Sequence, residues 1–589
     1  MPSQLHHFQN LLKQTNIDAW IVPSADPHQS EYVAEHWQAR AWLSGFSGSA
    51  GTLVVTPNWA GLWTDPRYHL RAAAELAGSG IALFRLGLPD VPSHLAWLAS
   101  ALPAGATVGL DASVLSAAAF AELSQRLQAK AVKFYTERNL VQECWQERPP
   151  MPQAPVFEHE EHFAGEARAA KLARIRARLH AEGAHAHLLT ALDDIAWTFN
   201  LRGGDVAFNP VTIAYALILE DEARLYIDRA KVPASLQEAL ARDGVVLEEY
   251  TAIEACWQRL SPNATVLIDP AKTSHQLHQR LAQHCQTKWG TSIPHLLKAT
   301  KNATELAGLR QACLRDGAAL VRWLIWLEDA IGNAPHTEIT VAAKLAEFRS
   351  LGEHYRGLSF GTICGYRANS AVGHYSAQPE TTPAIYPAGI LLIDSGAQYM
   401  DGTTDVTRAL TLGAPTVDEK RVFTTVLKSH IRLATAIFPA GARGDQLDAL
   451  AREPLWRAGW NCRHGIGHGV GHFLNVHEGP QRFATNNRVA FAPGMVTSNE
   501  PGVYFEGRFG VRLENLLVTI PHSTTEFGEF YGFETVTLCP FDVELVEPTM
   551  LEQAEKTWLN QYHQRVYNEL APHLSAYEQA WLRHKTQPV

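Results

Sequence analysis

The 589-residue sequence predicts two related α/β units followed by a larger α+β unit. Three observations point there. The same alternation of apolar runs and helix-like stretches occurs twice before residue 295, a proline-rich segment separates the copies, and after residue 355 the texture changes to short apolar runs punctuated by Gly, Asp and Asn. Length alone implies three or four domains. The expected boundaries are 1–148, 149–298 and 299–589. An apolar fraction of 46%, with 16 Trp, 16 Tyr and 22 Phe, supplies enough surface to bury several cores.

In the first unit, AWIVPSADPHQSEY leads on to GFSGSAGTLVV and then GLWTDPRY. In the second, AHLLTALDDIAW leads on to GGDVAFNPVTIAYALI and then RLYIDRAK. Each copy runs from an apolar strand through a small-residue turn with Asp to a helix-like stretch, a glycine-bearing turn, a further strand, and a last strand ending near Asp-Arg. That is α/β patterning, occurring twice. Between the copies, CWQERPPMPQAPV (144–156) holds four prolines and reads as a linker, because proline neither continues a helix nor donates to a sheet. Near 295–300 a third unit begins with a long helix, for which Asn302 or Thr304 is the expected N-cap ahead of Glu305. From 355 onward GLSFGTICG, AGILLIDSGAQYMDGTTDVTRALTL, GMVTSNEPGVY, FGVRLENLLVTI and FETVTLCPF read as strands and hairpins, interrupted by helices over 418–438 and 443–459. The tail beyond 545 has a helical pattern expected to pack on this third unit.

Net charge is −10 and no run of five or six like charges occurs, so neither a nucleic-acid partner nor a membrane surface is expected. The N-terminal stretch has no uninterrupted apolar h-region, and no later segment reaches the roughly 18 apolar residues of a membrane span. The cytoplasm is the expected compartment. Seven cysteines are scattered without a C-x-x-C pair and read as reduced structural thiols.

Chemistry concentrates in the third unit. In RHGIGHGVGHFLNVHEGP (463–480), His464, His468 and His472 recur every four residues, the spacing by which one helix could present ligands to zinc. A helix is excluded here, because Gly465, Gly467, Gly469 and Gly471 alternate through it and each interior glycine costs about 1 kcal/mol. The stretch is therefore extended or looped, and glycines on both sides of His468 suggest a close approach of backbone or ligand to that imidazole. A flexible glycine loop with surface histidines is the plain alternative.

Three strands carry an acidic residue in an apolar setting, Asp394 in ILLID, Glu500 in VTSNEPG and Glu514 in RLENLLV; a turn or cap role is the plain alternative for Asp394 alone, and Asp405 in GTTDVTR, eleven residues downstream, makes a pair with it. Buried carboxylates are expensive unless a cation compensates them. A two-residue primed turn at Asp401-Gly402 would place Asp394 opposite Ala409, roughly 13 Å from Asp405. A shared metal therefore requires a wider turn centred near Tyr399, or a bulge, that sets 394 opposite 405. The four carboxylates total about −4 when ionised, so two divalent cations with His468 as nitrogen ligand would balance the site. Oxygen-rich ligation favours Mn²⁺ and does not exclude Zn²⁺ or Co²⁺. Two such ions can bridge a hydroxide able to attack a carbonyl, and hydrolysis is the implied reaction.

IDSGAQYMDGTTDVTR, HGIGHGVGHFLNVHEGP, NEPG and RLEN, in that order, resemble the creatinase/methionine-aminopeptidase, or pita-bread, superfamily, and within it the three-domain Xaa-Pro aminopeptidases (aminopeptidase P). GFSGSAGT, WTDPRY and TALDDIAWTFNLRGGD extend the likeness over the whole chain. The resemblance implies two creatinase-like N-terminal α/β domains and a pita-bread catalytic domain that cleaves the N-terminal Xaa-Pro bond of peptides. Carried over by position, Asp394 would chelate one metal, Asp405 and Glu514 would bridge both, and His468 with Glu500 would complete the second. Glu500 would also shuttle a proton. His374 in AVGHYS would contact substrate near the scissile bond, His477 would stabilise the tetrahedral intermediate, and His464 would line the proline subsite. Arg67 would reach toward bound peptide from the first domain, and His472 would only pack or face solvent. A homodimer is expected on the same ground. Prolidase, acting on dipeptides, is the alternative within the superfamily; a metal-free peptide-binding module is the alternative outside enzymology. VTSNEPG departs from the family in the Ser-Asn before its glutamate.

Overall fold

A computed structural model describes residues 3–589. The chain divides into two compact units, one comprising residues up to 160 with 166–296, the other 161–165 with 297–589.

The first unit holds two six-stranded sheets. Strands β1 (Ala19–Pro23), β2 (Thr52–Thr56), β3 (Trp59–Thr64), β4 (Ala82–Arg85), β5 (Thr107–Leu110) and β6 (Lys133–Tyr135) are ordered β4-β3-β2-β1-β5-β6. Strands β7 (Ala186–Leu189), β8 (Ala214–Leu219), β9 (Ala223–Ile227), β10 (Val245–Glu248), β11 (Thr265–Ile268) and β12 (Gln286–Trp289) are ordered β10-β9-β8-β7-β11-β12. The pairing repeats as well as the order. In each sheet the first strand is antiparallel to the second and parallel to the fifth, and the edge pairs are parallel. The Asp that follows the third strand of each copy, Asp65 and Asp228, caps a 3-10 turn in both. The twofold repeat of the sequence is thus a repeat of topology. The second copy's apolar core includes Tyr215, Leu217, Val266 and Ile268. Residues 145–156, with their four prolines, form no helix or strand.

The second unit opens on helix α1 (Ala303–Ala330), where Asn302 accepts from Glu305 N at 2.9 Å while Glu305 accepts from Asn302 N at 2.8 Å. This reciprocal box satisfies two of the free N–H groups at the helix start. Helix α2 (Glu338–Ser350) follows. A three-stranded antiparallel sheet then forms from β13 (Ile363–Tyr366), β14 (Ile390–Ser395) and β15 (Val406–Thr411). A six-stranded antiparallel sheet contains β16 (Phe438–Pro439), β17 (Gly467–Gly469), β18 (Glu478–Phe483), β19 (Val496–Asn499), β20 (Asn515–Thr525) and β21 (Gly528–Thr535), ordered β16-β21-β20-β19-β17-β18. Helices α3 (Val417–Ala434) and α4 (Gly444–Arg457) bury Val422, Phe423, Val426, Leu447 and Leu455 in the main core with strand residues Ile390, Ala409, Val511 and Leu517. The C-terminal helices α5 (Gln553–Leu570) and α6 (Ala576–Lys585) add Leu559, Val566 and Leu582 to the same core. That is the packing expected of the tail.

One expectation is corrected here. The hairpin joining β14 and β15 sets Asp394 opposite Thr407, with Ser395 opposite Val406, and no bulge interrupts the ladder. The register continues as Gln398 opposite Thr403 and Tyr399 opposite Gly402, so the turn is Met400-Asp401. Neither a primed turn at Asp401-Gly402 nor a turn centred on Tyr399 occurs; a primed turn needs positive φ at its first central residue, and Asp401 has none. Contacts with α1 determine the choice. Arg315 pairs with the Asp401 carboxylate, and Gly308 lies so close that a Cβ there would meet the Asp401 carbonyl at 2.5 Å. Asp405 is consequently two residues from the partner of Asp394, a diagonal neighbour on the same face, within reach across a ladder.

A buried polar core underlies the site. Arg408, 2% exposed, donates to the carbonyls of Glu514 (2.6 Å), Cys539 (2.7 Å) and Pro540 (3.0 Å) and to Asn515 Oδ1 (2.8 Å). His430 and His563, both fully buried, are pushed down to about 3 by burial and by the Arg408 charge. A histidine depressed in the folded state stabilises fully above its unfolded value near 6.5, and that contribution is lost as pH falls toward 3. Denaturant unfolding of the metal-loaded protein should therefore show stability falling by several kcal/mol, as an order of magnitude, between about pH 6.5 and 4. His563→Gln should flatten that slope, and an unchanged slope would refute the assignment.

Candidate metal centre

The carboxylates come from the three-stranded sheet β13-β14-β15 and the six-stranded antiparallel sheet of the second unit. Asp394 is the penultimate residue of β14, Asp405 immediately precedes β15, and Glu514 immediately precedes β20. Glu500 follows β19, and His468 is the middle residue of the three-residue strand β17. The sequence forbids a helix there, and the structure shows a short strand because a Cβ on Gly467 would stand 1.9 Å from the Ser498 carbonyl. That close approach puts β17 against β19 and so brings His468 to Glu500.

The geometry converges. Atoms of Asp405, His468 and Glu514 lie within 4.8 Å of one another. His468 Nε2 is 3.5 Å from Asp405 Oδ2 and 3.4 Å from Glu500 Oε1. His468 Nδ1–H donates to the Gly469 carbonyl at 2.9 Å, which orients the ring and leaves Nε2 facing the acids. Thr407 donates to Glu514 Oε2 at 2.8 Å, and Arg512 Nη2 donates to Asp394 Oδ2 at 2.5 Å. The other oxygens, Asp394 Oδ1 and Glu514 Oε1, are buried without a hydrogen-bond partner.

Electrostatics show what such crowding costs. Burial, with Asp405 and Glu500 adding to it against the pull of Arg512, pushes Asp394 up to about 6. Burial and the neighbouring acids also hold Glu514 well above the usual carboxylate range. Burial lowers His468, yet Asp405 and Glu500 outweigh it and raise the ring to about 9. Burial raises Glu500, but His468, His464 and Arg512 hold it below its ordinary value. Surroundings that retain a proton so strongly would draw a divalent cation, and two buried acceptor oxygens without donors fit that purpose.

The remaining expected residues are placed as follows. His477 meets His468 edge to face, ring centroids 4.3 Å apart. His464 Nε2 is 2.8 Å from Tyr504 OH, which accepts from Arg512 Nη1 at 2.6 Å, so His464 is tied to Asp394 through two intermediates. His374 follows Gly373, whose carbonyl lies 3.5 Å from Arg512 Nη1. His472 is buried, 3.2 Å from the Phe163 carbonyl, a packing residue. Arg67 belongs to the first unit, where it forms a two-pronged pair with Asp65 at 2.9 and 2.8 Å. Sequence reasoning missed Arg512, Tyr504 and Thr407. For Arg512 a signal existed: it stands two residues before Glu514 in FGVRLEN, a charge of opposite sign in the same apolar run.

Comparison with known proteins agrees with this architecture. Residues 4–144 and 147–305 each match a creatinase/prolidase N-terminal domain. Residues 307–520 match metallopeptidase family M24, and 529–589 match the C-terminal region of that peptidase. A probable Xaa-Pro aminopeptidase P of Coprinopsis cinerea is 39% identical over 100% of this chain and 98% of its own. Aminopeptidase P2 of Arabidopsis thaliana is 40% identical over 97% and 86%. Among solved structures, the X-prolyl aminopeptidase of Caenorhabditis elegans, described as a cytosolic enzyme with a di-nuclear active site, superposes with a TM-score of 0.95 at 33% identity, covering 100% of this chain and 99% of that one.

Proposed function

Because the chain belongs to the Xaa-Pro aminopeptidase P family and is a metal-dependent aminopeptidase of the M24 class, we propose that Asp394, Asp405, His468, Glu500 and Glu514 hold two divalent cations that serve its hydrolysis of N-terminal Xaa-Pro bonds. The observation behind this ligand set is the buried cluster itself: four carboxylates and one imidazole, with two acceptor oxygens lacking any donor. The all-oxygen and single-imidazole donor set favours Mn²⁺, with Zn²⁺ and Co²⁺ as the competing ions. When bound, the ions would supply an acidified water and polarise the scissile carbonyl.

The chain's own residues account for the rest. Glu500 is the most accessible of the acids, its side chain 18% exposed against 5% for Asp405 and 11% for Asp394. Its Oε1 is the atom suited to take a proton from the attacking water and return it to the leaving nitrogen. His477, packed on His468, is suited to stabilise the developing oxyanion, and His374 to contact the substrate beside the scissile bond. His464, braced by Tyr504, would line the proline subsite, with Arg67 contacting the peptide further along. An Xaa-Pro bond is a tertiary amide without an N–H, so a site that polarises the carbonyl needs no main-chain hydrogen bond to that nitrogen. Glu500 and the three histidines thus act on substrate, while Arg512 and Thr407 orient the acids.

A three-domain division at 1–148, 149–298 and 299–589, a homodimeric assembly and a cytoplasmic location complete the reading. For the last, the support is the cytosolic Caenorhabditis enzyme, together with the absence among the described residues of any helix long and apolar enough to cross a membrane. The test is hydrolysis of Arg-Pro-Pro beside the dipeptide Arg-Pro during manganese titration of chelated protein. Release of Arg from the tripeptide, restored by the metal, is expected. Cleavage of the dipeptide alone would instead make the protein a prolidase, and metal-independent turnover would refute the cluster's role.

A further inference from the structure

Helix α2 begins at Glu338, whose side chain is fully buried, 0% exposed. A carboxylate at the first turn of a helix ordinarily serves the N-terminal dipole or the free N–H groups there. Glu338 instead turns to one connection, the irregular segment 367–382 that leaves β13. Its Oε1 accepts from the backbone N–H of Tyr366 at 2.7 Å and from the Asn369 amide at 3.0 Å. Its Oε2 accepts from the hydroxyls of Tyr375 at 2.7 Å and Thr382 at 3.1 Å. No ion pair to Glu338 is found among the described residues, so four neutral dipoles replace the water this charge gave up on burial. Bonds to an ionised acceptor are roughly twice as strong as neutral ones.

Those four donors bracket the segment at both ends, and between them lies His374. Within itself the segment has a 3-10 turn over Arg367–Ala371, short backbone turns that include Tyr375 N to Val372 O at 3.1 Å and Thr382 N to Gln378 O at 2.9 Å, and a bond from the Asn369 amide to the Tyr375 hydroxyl at 2.9 Å, so that two of the four donors to Glu338 also hold each other. On its other side it is seated on the strand leading to Glu514, where Gly510 N donates to Ser370 Oγ at 2.8 Å. Tyr375, immediately after His374, is therefore pinned by Glu338, while Gly373, immediately before it, faces Arg512.

We propose that Glu338 is a positioning residue for the peptidase reaction: its buried carboxylate clips both ends of the 367–382 connection and so holds the His374 imidazole at the metal cluster. This rests on the reading of His374 as a substrate contact. The clip never touches substrate and acts through that imidazole alone.

The experiment is a double-mutant cycle on the full-length metal-loaded enzyme, with metal content measured for every variant. Glu338→Ala is expected to lower kcat/KM for Arg-Pro-Pro by about 100-fold with metal content unchanged. Glu338→Gln is expected to stay within about 5-fold, because the amide nitrogen can donate to the two hydroxyls, which turn to accept, while its oxygen keeps Tyr366 and Asn369. In a His374→Ala background, Glu338→Ala should cost less than about 3-fold more. Should Glu338→Ala not fold, Tyr375→Phe takes its place in the cycle, with a smaller loss and the same non-additivity. Independent, multiplying losses would overturn the proposal, as would loss of metal in Glu338→Ala or wild-type activity in it. Full activity of His374→Ala by itself would overturn the reading of His374 and the clip with it, whereas multiplying losses beside an impaired His374→Ala would overturn the clip alone.

Discussion

Asp405→Ala is expected to abolish hydrolysis of Arg-Pro-Pro, lowering kcat/KM by about 1,000-fold or more, and to leave the purified protein deficient in metal. Asp405 is 4% exposed and sits between the two halves of the cluster: 3.5 Å from His468 Nε2 on one side, and on the same strand face as Asp394 on the other. Glu514→Gln is the sharper companion, since the amide oxygen can still accept from Thr407 while the charge and the free acceptor oxygen are lost. Both variants should still unfold cooperatively, near the midpoint of the chelated wild-type protein, because neither removes core packing. Elemental analysis and steady-state kinetics decide the matter. Normal metal content in both variants would dissolve the proposed ligand set, whatever the kinetics.

The second large effect is on stability, and its sign depends on pH. Burial pushes Asp394 up to about 6 in the folded chain and also holds Glu514 well above the usual carboxylate range. A carboxyl with a raised folded value stabilises fully below its unfolded value near 4, and the contribution disappears as pH rises through the folded value. Without metal, the folded protein should therefore lose stability between about pH 4 and 6 through Asp394, on the order of 3 kcal/mol, with Glu514 acting in the same direction. Bound cations keep these groups ionised without penalty and add roughly 3–4 kcal/mol when present at 100 to 1,000 times their dissociation constant. Chelation should thus lower the unfolding midpoint little at pH 5 and strongly at pH 8. Midpoints that coincide with and without chelator across that range would show that the acids do not depend on cations. Below pH 6 the buried His430 and His563 act in the opposite direction, so the metal-free protein is expected to be most stable near pH 5 to 6.

Much of this protein was legible in the chain. The capping box at Asn302 and Glu305, the helices over 417–434 and 444–457, and the doubled α/β pattern all follow from signals a few residues long. The glycine alternation around His468 ruled out a helix for the same reason, since helix propensity is a property of the local backbone. The identities of the five proposed ligands and their order were also visible, because a charged residue in an apolar strand is conspicuous without knowledge of its partner.

The register of the ligand hairpin was not legible. A shared metal implied a turn centred near Tyr399 or a bulge in place of a primed turn at Asp401-Gly402, but the turn is Met400-Asp401, where Gly308 and Arg315 of α1, almost a hundred residues earlier, meet it. The same holds for Thr407 on Glu514, Arg512 on Asp394 and Glu338 on the His374 segment, pairs separated by 28 to 118 residues. The sequence by itself determined the elements, the twofold repeat and the chemical kinds of the site's residues, because those depend on periodicity, caps and composition within one turn or strand. Only the tertiary structure decided which oxygen accepts from which donor and which two are left for a cation, because hydrogen bonds act over about 3 Å and chain separation says nothing about that distance.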